Sequence, residues 1–151
     1  MIGDLDDGPE QLPLPEADVR KRVLSLLPER HFDLIVTHSP YGEYTRHRRH
    51  EETGKAVAVL WEKGLIDASE IWMFAYEDGG KGGRHDPPKA IKTAHLTTRL
   101  PEDTWRSKLQ IIKEIYGFAA GTFEADIVMR EEAFWRFQSH AEFRRWLKLR
   151  G

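Results

Sequence analysis

The sequence predicts an α/β domain with a mostly parallel sheet, and three observations predict it. Two short runs, Phe32–Thr37 and Glu70–Tyr76, are apolar almost throughout rather than alternating, as strands buried on both faces are. Between them, Thr45–Gly64 repeats apolar residues at helical spacing and closes on a glycine. Strand, helix and strand within about 45 residues form a βαβ unit, whose crossover is right-handed in nearly all proteins.

Each element has its own signal. Met1–Pro15 holds four Asp/Glu and three Pro with little apolar periodicity, which predicts an extended surface arm over residues 1–15. Asp18–Leu27 is predicted helical, with Val19, Val23, Leu26 and Leu27 on one stripe and Pro28 closing it. The strand Glu70–Tyr76 leads into the loop EDGGKGGRHDPP. A third strand is expected at Ile91–Thr98. A helix is expected at Trp105–Phe118, with Trp105, Leu109, Ile112 and Tyr116 aligned, and a last one at Glu131–Leu149. The whole reads as one domain over 1–151, with no internal repeat.

Composition bounds the function. The chain has 151 residues and a formal net charge of −2, so nothing draws it generally to nucleic acid or to an anionic membrane. It has no cysteine, which excludes disulfides, thiolate metal sites and a cysteine nucleophile. No apolar stretch approaches the ~20 residues needed to span a bilayer. The acidic start MIGDLDDGPEQ lacks the basic and apolar regions of a signal peptide, and a cytoplasmic protein is expected.

The chemistry-bearing segment is THSPYGEYTRHRRHEETGKA, Thr37–Ala56. It follows the first strand, where ligands of parallel sheets bind, outside the carboxyl ends of the strands. His47 and His50 stand three residues apart, in line with Gly54, Val57 and Trp61, so they continue the buried stripe toward the strand ends. Two neutral imidazoles one turn apart suit a divalent metal and a proton transfer. The bland alternative is a solvated helix start in which His47 and Arg48 pair with Glu51 and Glu52.

The stretch FDLIVTHSPYGEYTRHRRHEETGKAV resembles the second motif of the LmbE-like, or PIG-L, family of zinc-dependent N-acetylglucosaminyl deacetylases. GDLDDG before it, and EIWMFAYED and WRSKLQIIKEIYGF after it, extend the resemblance over roughly Gly3–Phe118. It implies a Rossmann-like three-layer sandwich and a metal-dependent hydrolase that removes an acyl group from an amino sugar or related amide. It further implies Zn2+, or another divalent metal, held by His50. His47 would be the acid that protonates the leaving amine or would stabilise the oxyanion, and Tyr44 would help polarise the acyl oxygen. His38 would stand behind the metal or contact the substrate, unless it is simply a satisfied histidine capping the strand. No other cofactor is implied.

Two departures shape what to expect. Arg48 and Arg49 replace the Pro-Asp that usually separates the motif's histidines. The family's His-Pro-Asp-Asp motif, which supplies two more metal ligands and the general base, has no counterpart in these residues. The sheet is therefore expected to be incomplete on its N-terminal side, completed by a missing N-terminal half or a homo-oligomer. With one matched ligand, the chain is expected to bind zinc weakly and to be inactive by itself. Tight binding would point first to His38 and Glu43 as further ligands. In the glycine loop, Lys81, Arg84 and His85 are candidate contacts to sugar hydroxyls or phosphate, against the plainer reading of a flexible surface loop. The alternative class is a non-catalytic sugar- or protein-binding domain. A weaker one is nucleic-acid binding through Arg46, Arg48, Arg49 and the C-terminal basic stretch, where Phe134, Phe137 and Trp146 read rather as core anchors.

Overall fold

The computed structural model describes residues 5–6, 8–10, 12–44, 46–80 and 87–150. The chain forms two compact units, Met1–Phe74 with Trp135–Gly151, and Ala75–Phe134.

The first unit carries the predicted βαβ element. Helix α1, Glu16–Leu26, starts on Pro15, whose carbonyl accepts the amides of Asp18 and Val19. Pro restricts a chain at a helix entrance without removing a needed donor, and Glu16 and Asp18 complement the positive end of the helix. Strand β1, His31–Thr37, runs parallel to β2, Asp67–Phe74, in a register that sets Ile35 beside Ile71 and Thr37 beside Met73. Between them lies α2, Arg48–Glu62, followed at Gly64 by a left-handed residue (φ 66°) that ends the helix.

The apolar stripe read from the sequence is the inner face of α2, where Gly54, Ala56, Val57, Leu60 and Trp61 are buried. Ile71 and Met73 of β2 are buried too, as are Phe143 and Trp146 of α5, His140–Arg150, and the Trp61 ring centre lies 6.0 Å from that of Phe143. Phe137 stands edge-on to Phe143 and to Trp146, with ring centres 5.2 Å apart in both cases. Burying one such side chain contributes roughly 1.5–3 kcal/mol. On β1, Leu34 and Val36 remain exposed.

The second unit is built from shorter pieces. Strands β3, Tyr76–Glu77, and β4, Lys89–Ala90, pair antiparallel. Strand β5, Leu96–Arg99, pairs antiparallel with the start of β6, Glu131–Phe137. Helix α3, Glu102–Gln110, runs on into a π-helical turn, Ile111–Ile115, before the short α4, Phe123–Asp126. The Trp105 indole donates to the Val128 carbonyl at 3.0 Å and lies 3.7 Å beneath the Arg130 guanidinium. Tyr76 and Lys108 both donate to Glu132.

The four-stranded sheet has the order β1-β2-β6-β5. It is a mixed α/β sheet, with β1 and β2 parallel and β5 and β6 antiparallel. Parallel pairing was expected to dominate, and the difference comes from β6. Glu131–Leu149 is not one helix, because its first seven residues are this strand. Ala133, Trp135 and Phe137 alternate along it and are all buried, a period of two that a pleated strand requires. Phe134 points the other way and is only half-buried, whereas Phe137 and Trp146 are core residues. The expected third strand is shorter and later, at Leu96–Arg99, and the helix expected from Trp105 begins three residues earlier. The described residues of the N-terminal arm before Pro15 contain no helix or strand.

Candidate metal centre

The segment between β1 and α2 is a folded loop with its own internal logic. Ser39, Pro40, Tyr41 and Gly42 form a β-turn closed by the Gly42 amide on the Ser39 carbonyl at 3.0 Å. Serine first, proline second and glycine fourth is a preferred order for such a turn. The Ser39 hydroxyl also accepts the Tyr41 amide at 3.2 Å. Gly42 has φ 79°, and a Cβ there would lie 2.8 Å from the Glu51 carboxylate, so conformation and space both call for glycine. The turn brings residue 43 back against residue 38.

Glu43 is the result. Its side chain is 5% exposed, yet it carries a carboxylate. Oε1 accepts from His38 Nδ1 at 3.1 Å and from the Ser39 amide at 3.1 Å, while Oε2 accepts from His50 Nδ1 at 2.8 Å. Burial pushes the Glu43 carboxyl up, but the hydrogen bonds from His38 and His50, the His38 charge and the Ser39 amide together hold it down at about 2. It is therefore ionised at neutral pH.

The two imidazoles lie face to face, 3.8 Å between centres and 12° between planes. His38 follows the last residue of β1 and has the Phe74 ring, at the end of β2, 5.6 Å away. His50 is in the first turn of α2, and His47 caps that helix with its carbonyl accepting the amides of His50 and Glu51. The His47 ring is 4.7 Å from that of His50. All of this stands at the carboxyl ends of the two parallel strands.

Two backbone features fix the arrangement. A Cβ on Gly54 would meet the His38 carbonyl oxygen at 2.5 Å, the Ser39 carbonyl carbon at 2.8 Å and the Pro40 nitrogen at 2.9 Å. Helix and loop thus touch backbone to backbone, one turn beyond His50. Arg46, a non-glycine residue, adopts φ 51°, and its Nε donates to Glu51 at 2.6 Å. Such conformations persist only where neighbours over-determine them.

The structure thus joins His38 and His50 with Glu43, and sets His47 beside them. Tyr44 lies half-buried in the same loop, outside the cluster. Arg84, like Lys81 and His85, falls outside the described residues. Of the basic run, Arg46 pairs with Glu51 and Arg49 with Glu52, at 2.5 Å. Arg49 also donates to the carbonyls of Asp6 and Leu12, and Glu52 accepts the Leu14 amide, so this pair ties the N-terminal arm to α2. A cavity of about 870 Å³ lies along α2, lined by Leu14, Val19, Lys55, Val59, Phe143 and others, but by none of the cluster residues.

As a donor set, two imidazoles and a carboxylate fit zinc and other divalent first-row metals. One ligand atom from each of His38, Glu43 and His50 lies within 4.8 Å of the others. Glu43 was visible in the sequence only as an acidic neighbour. The Ser-Pro-x-Gly turn was the signal that it would meet His38. No family model, curated protein or solved structure matches the chain. No helix among the described residues is long and apolar enough to cross a membrane.

Proposed function

We propose that the chain is a cytoplasmic, divalent-metal-dependent hydrolase of the LmbE-like type, with a Rossmann-like arrangement of its sheet and helices, acting on an acylated amine such as an N-acetylated amino sugar. The single observation that carries this reading is the His38–Glu43–His50 cluster at the carboxyl ends of β1 and β2. A divalent ion held there supplies Lewis acidity toward an acyl oxygen and lowers the pKa of a water. His38, Glu43 and His50 would hold that ion. His47, one ring away from His50, would pass a proton to the departing amine. Tyr44, in the same loop, would approach the acyl oxygen.

Three donors rather than one change the expected binding. Titration calorimetry of the full chain with ZnCl2 at neutral pH should give one equivalent bound, and His50→Ala should abolish it. Zinc-dependent release of acetate from N-acetylglucosamine derivatives, lost on His47→Ala with zinc binding kept, would support the hydrolase. No stoichiometric binding of Zn2+, Mn2+ or Co2+ would overturn it. The alternative, a non-catalytic sugar- or protein-binding domain, is favoured by one feature: both Glu43 oxygens are already satisfied by protein donors. In that case neither metal binding nor acetate release appears.

A further inference from the structure

We propose that the outer edge of β1 is an interaction surface for a second copy of this chain, the two β1 strands pairing antiparallel about a two-fold axis at Leu34. This interface is independent of the metal reading above and holds whether or not the chain binds a metal.

β1 is the end strand of its sheet, with β2 on one side and, among the described residues, no strand on the other. A strand turns the N–H and C=O groups of alternate residues to opposite sides. The Arg30 carbonyl accepts the Asp67 amide at 2.7 Å, which sets the even-numbered residues of β1 toward β2. The main-chain groups of His31, Asp33 and Ile35 therefore face outward, as a template for another strand. Natural edges are commonly blunted by proline, lysine or a bulge. β1 contains neither residue, and it keeps one unbroken register with β2 from His31–Asp67 to Thr37–Met73.

The side chains favour a second copy as the occupant. Phe32, Leu34 and Val36 share one face of the strand, and Leu34 and Val36 are 40% and 49% exposed. An axis at Leu34 sets that residue against its own copy and Phe32 against Val36 of the second copy, so apolar meets apolar at every position of the face. On the other face Asp33 meets Ile35 and His31 meets Thr37, with no like charges directly opposite. An axis at Asp33 would oppose two carboxylates, which cross-strand pairing penalises. The backbone agrees, because the chosen register pairs outward-facing residues with outward-facing residues. Such a contact is isologous, the same patch serving on both subunits. An edge of seven residues is small beside the roughly 1,200–2,000 Å² of a stable interface, so the dimer should be reversible, dissociating on the order of 10–100 μM.

Sedimentation velocity of the full chain across a concentration series should show a monomer–dimer equilibrium. Leu34→Lys and Val36→Lys should stay folded, since both side chains are already exposed, and should sediment as monomers. The chain has no cysteine, so Leu34→Cys introduces a lone thiol. Residues directly opposite in a non-hydrogen-bonded antiparallel pair lie about 4.5 Å apart at Cα, within reach of a disulfide. Oxidised glutathione should therefore link Leu34→Cys into a covalent dimer far more readily than Asp33→Cys, which would face Ile35. Asp33→Asn removes two carboxylates about 7–8 Å apart on the diagonal and should tighten the dimer about 2-fold. A wild-type chain that is monomeric at every concentration would overturn the proposal, as would a dimer indifferent to both lysine variants. Faster linkage through Asp33→Cys would rule out the axis at Leu34. Should the lysine variants fail to fold, wild-type amide exchange decides. The Asp33 and Ile35 amides should slow as concentration rises while those of Leu34 and Val36 stay constant, and exchange at all four that ignores concentration would sink the interface.

Discussion

Two loops of this molecule invert the usual rule of inside and outside. Between β1 and α2, the chain buries the polar side chains of Thr37, Ser39 and Glu43. At the π-helical turn, Ile115 is 77% exposed and Tyr116 68% exposed. Burying a carboxylate is costly unless every lone pair facing the interior finds a donor, whereas leaving an isoleucine in water forfeits only its transfer energy. The first loop is therefore built tightly, with a β-turn, two histidines and a glycine contact. The second has none of these, and among the described residues no buried side chain lies in Ile111–Ile115. A costly arrangement that is fully satisfied marks the place to look for chemistry.

The largest expected effect comes from acid. The fold holds the Glu43 carboxyl at about 2, below its ordinary value of 4.5, so the unfolded chain binds the proton more readily between those values. Stability should then rise with pH in that window. The contribution, roughly 3 kcal/mol, is fully present above about pH 5 and is lost progressively toward pH 2. Urea unfolding between pH 2 and 6, compared with Glu43→Gln, checks it: the variant's curve should be flatter. Parallel curves would mean the loop does not hold the carboxylate as described.

Gly54→Ala should come next. In an open helix this change gains up to about 1 kcal/mol. Here the new methyl meets backbone atoms, which cannot swing aside, and overpacking should cost about 1–3 kcal/mol instead. A thermal melt gives the sign directly, and a raised Tm would show that loop and helix are not in contact.

Arg49→Met tests the tie between arm and α2. Removing donors to Asp6 and Leu12 should lower stability by about 1 kcal/mol and speed amide exchange at Leu14. Unchanged exchange would show that the arm is held by other contacts. The smallest effect belongs to the second loop: Ile115→Ser should stay within about 0.5 kcal/mol of wild type by urea titration. A larger loss would mean that the π-helical turn is packed against something.

What the sequence made legible follows the strength of each pattern. The α2 stripe was readable because Gly54, Val57 and Trp61 recur at helical spacing and meet one core. Strands β1 and β2 were readable as apolar runs. Strand β6 was not, because Phe134 and Phe137 imitate helical spacing while the deciding residues, Ala133, Trp135 and Phe137, alternate. Tertiary pairing with β5 resolved what local periodicity left ambiguous. At the site, His47 and His50 announce themselves by spacing along one helix. His38 and Glu43 meet through a turn, and five residues of separation carry no periodic signal.

The missing side chain at Gly54 also bears on motion. His38 belongs to the end of a strand and His50 to the start of a helix, and the two segments abut through main-chain atoms. Their separation is therefore governed by the small excursions of packed backbone rather than by the wider swings of a surface loop. A ligand arriving beside the imidazoles would have little chain entropy left to remove, because folding has already removed it. Its association should accordingly show a small entropic penalty from the protein and little change in backbone order parameters between Thr37 and Gly54.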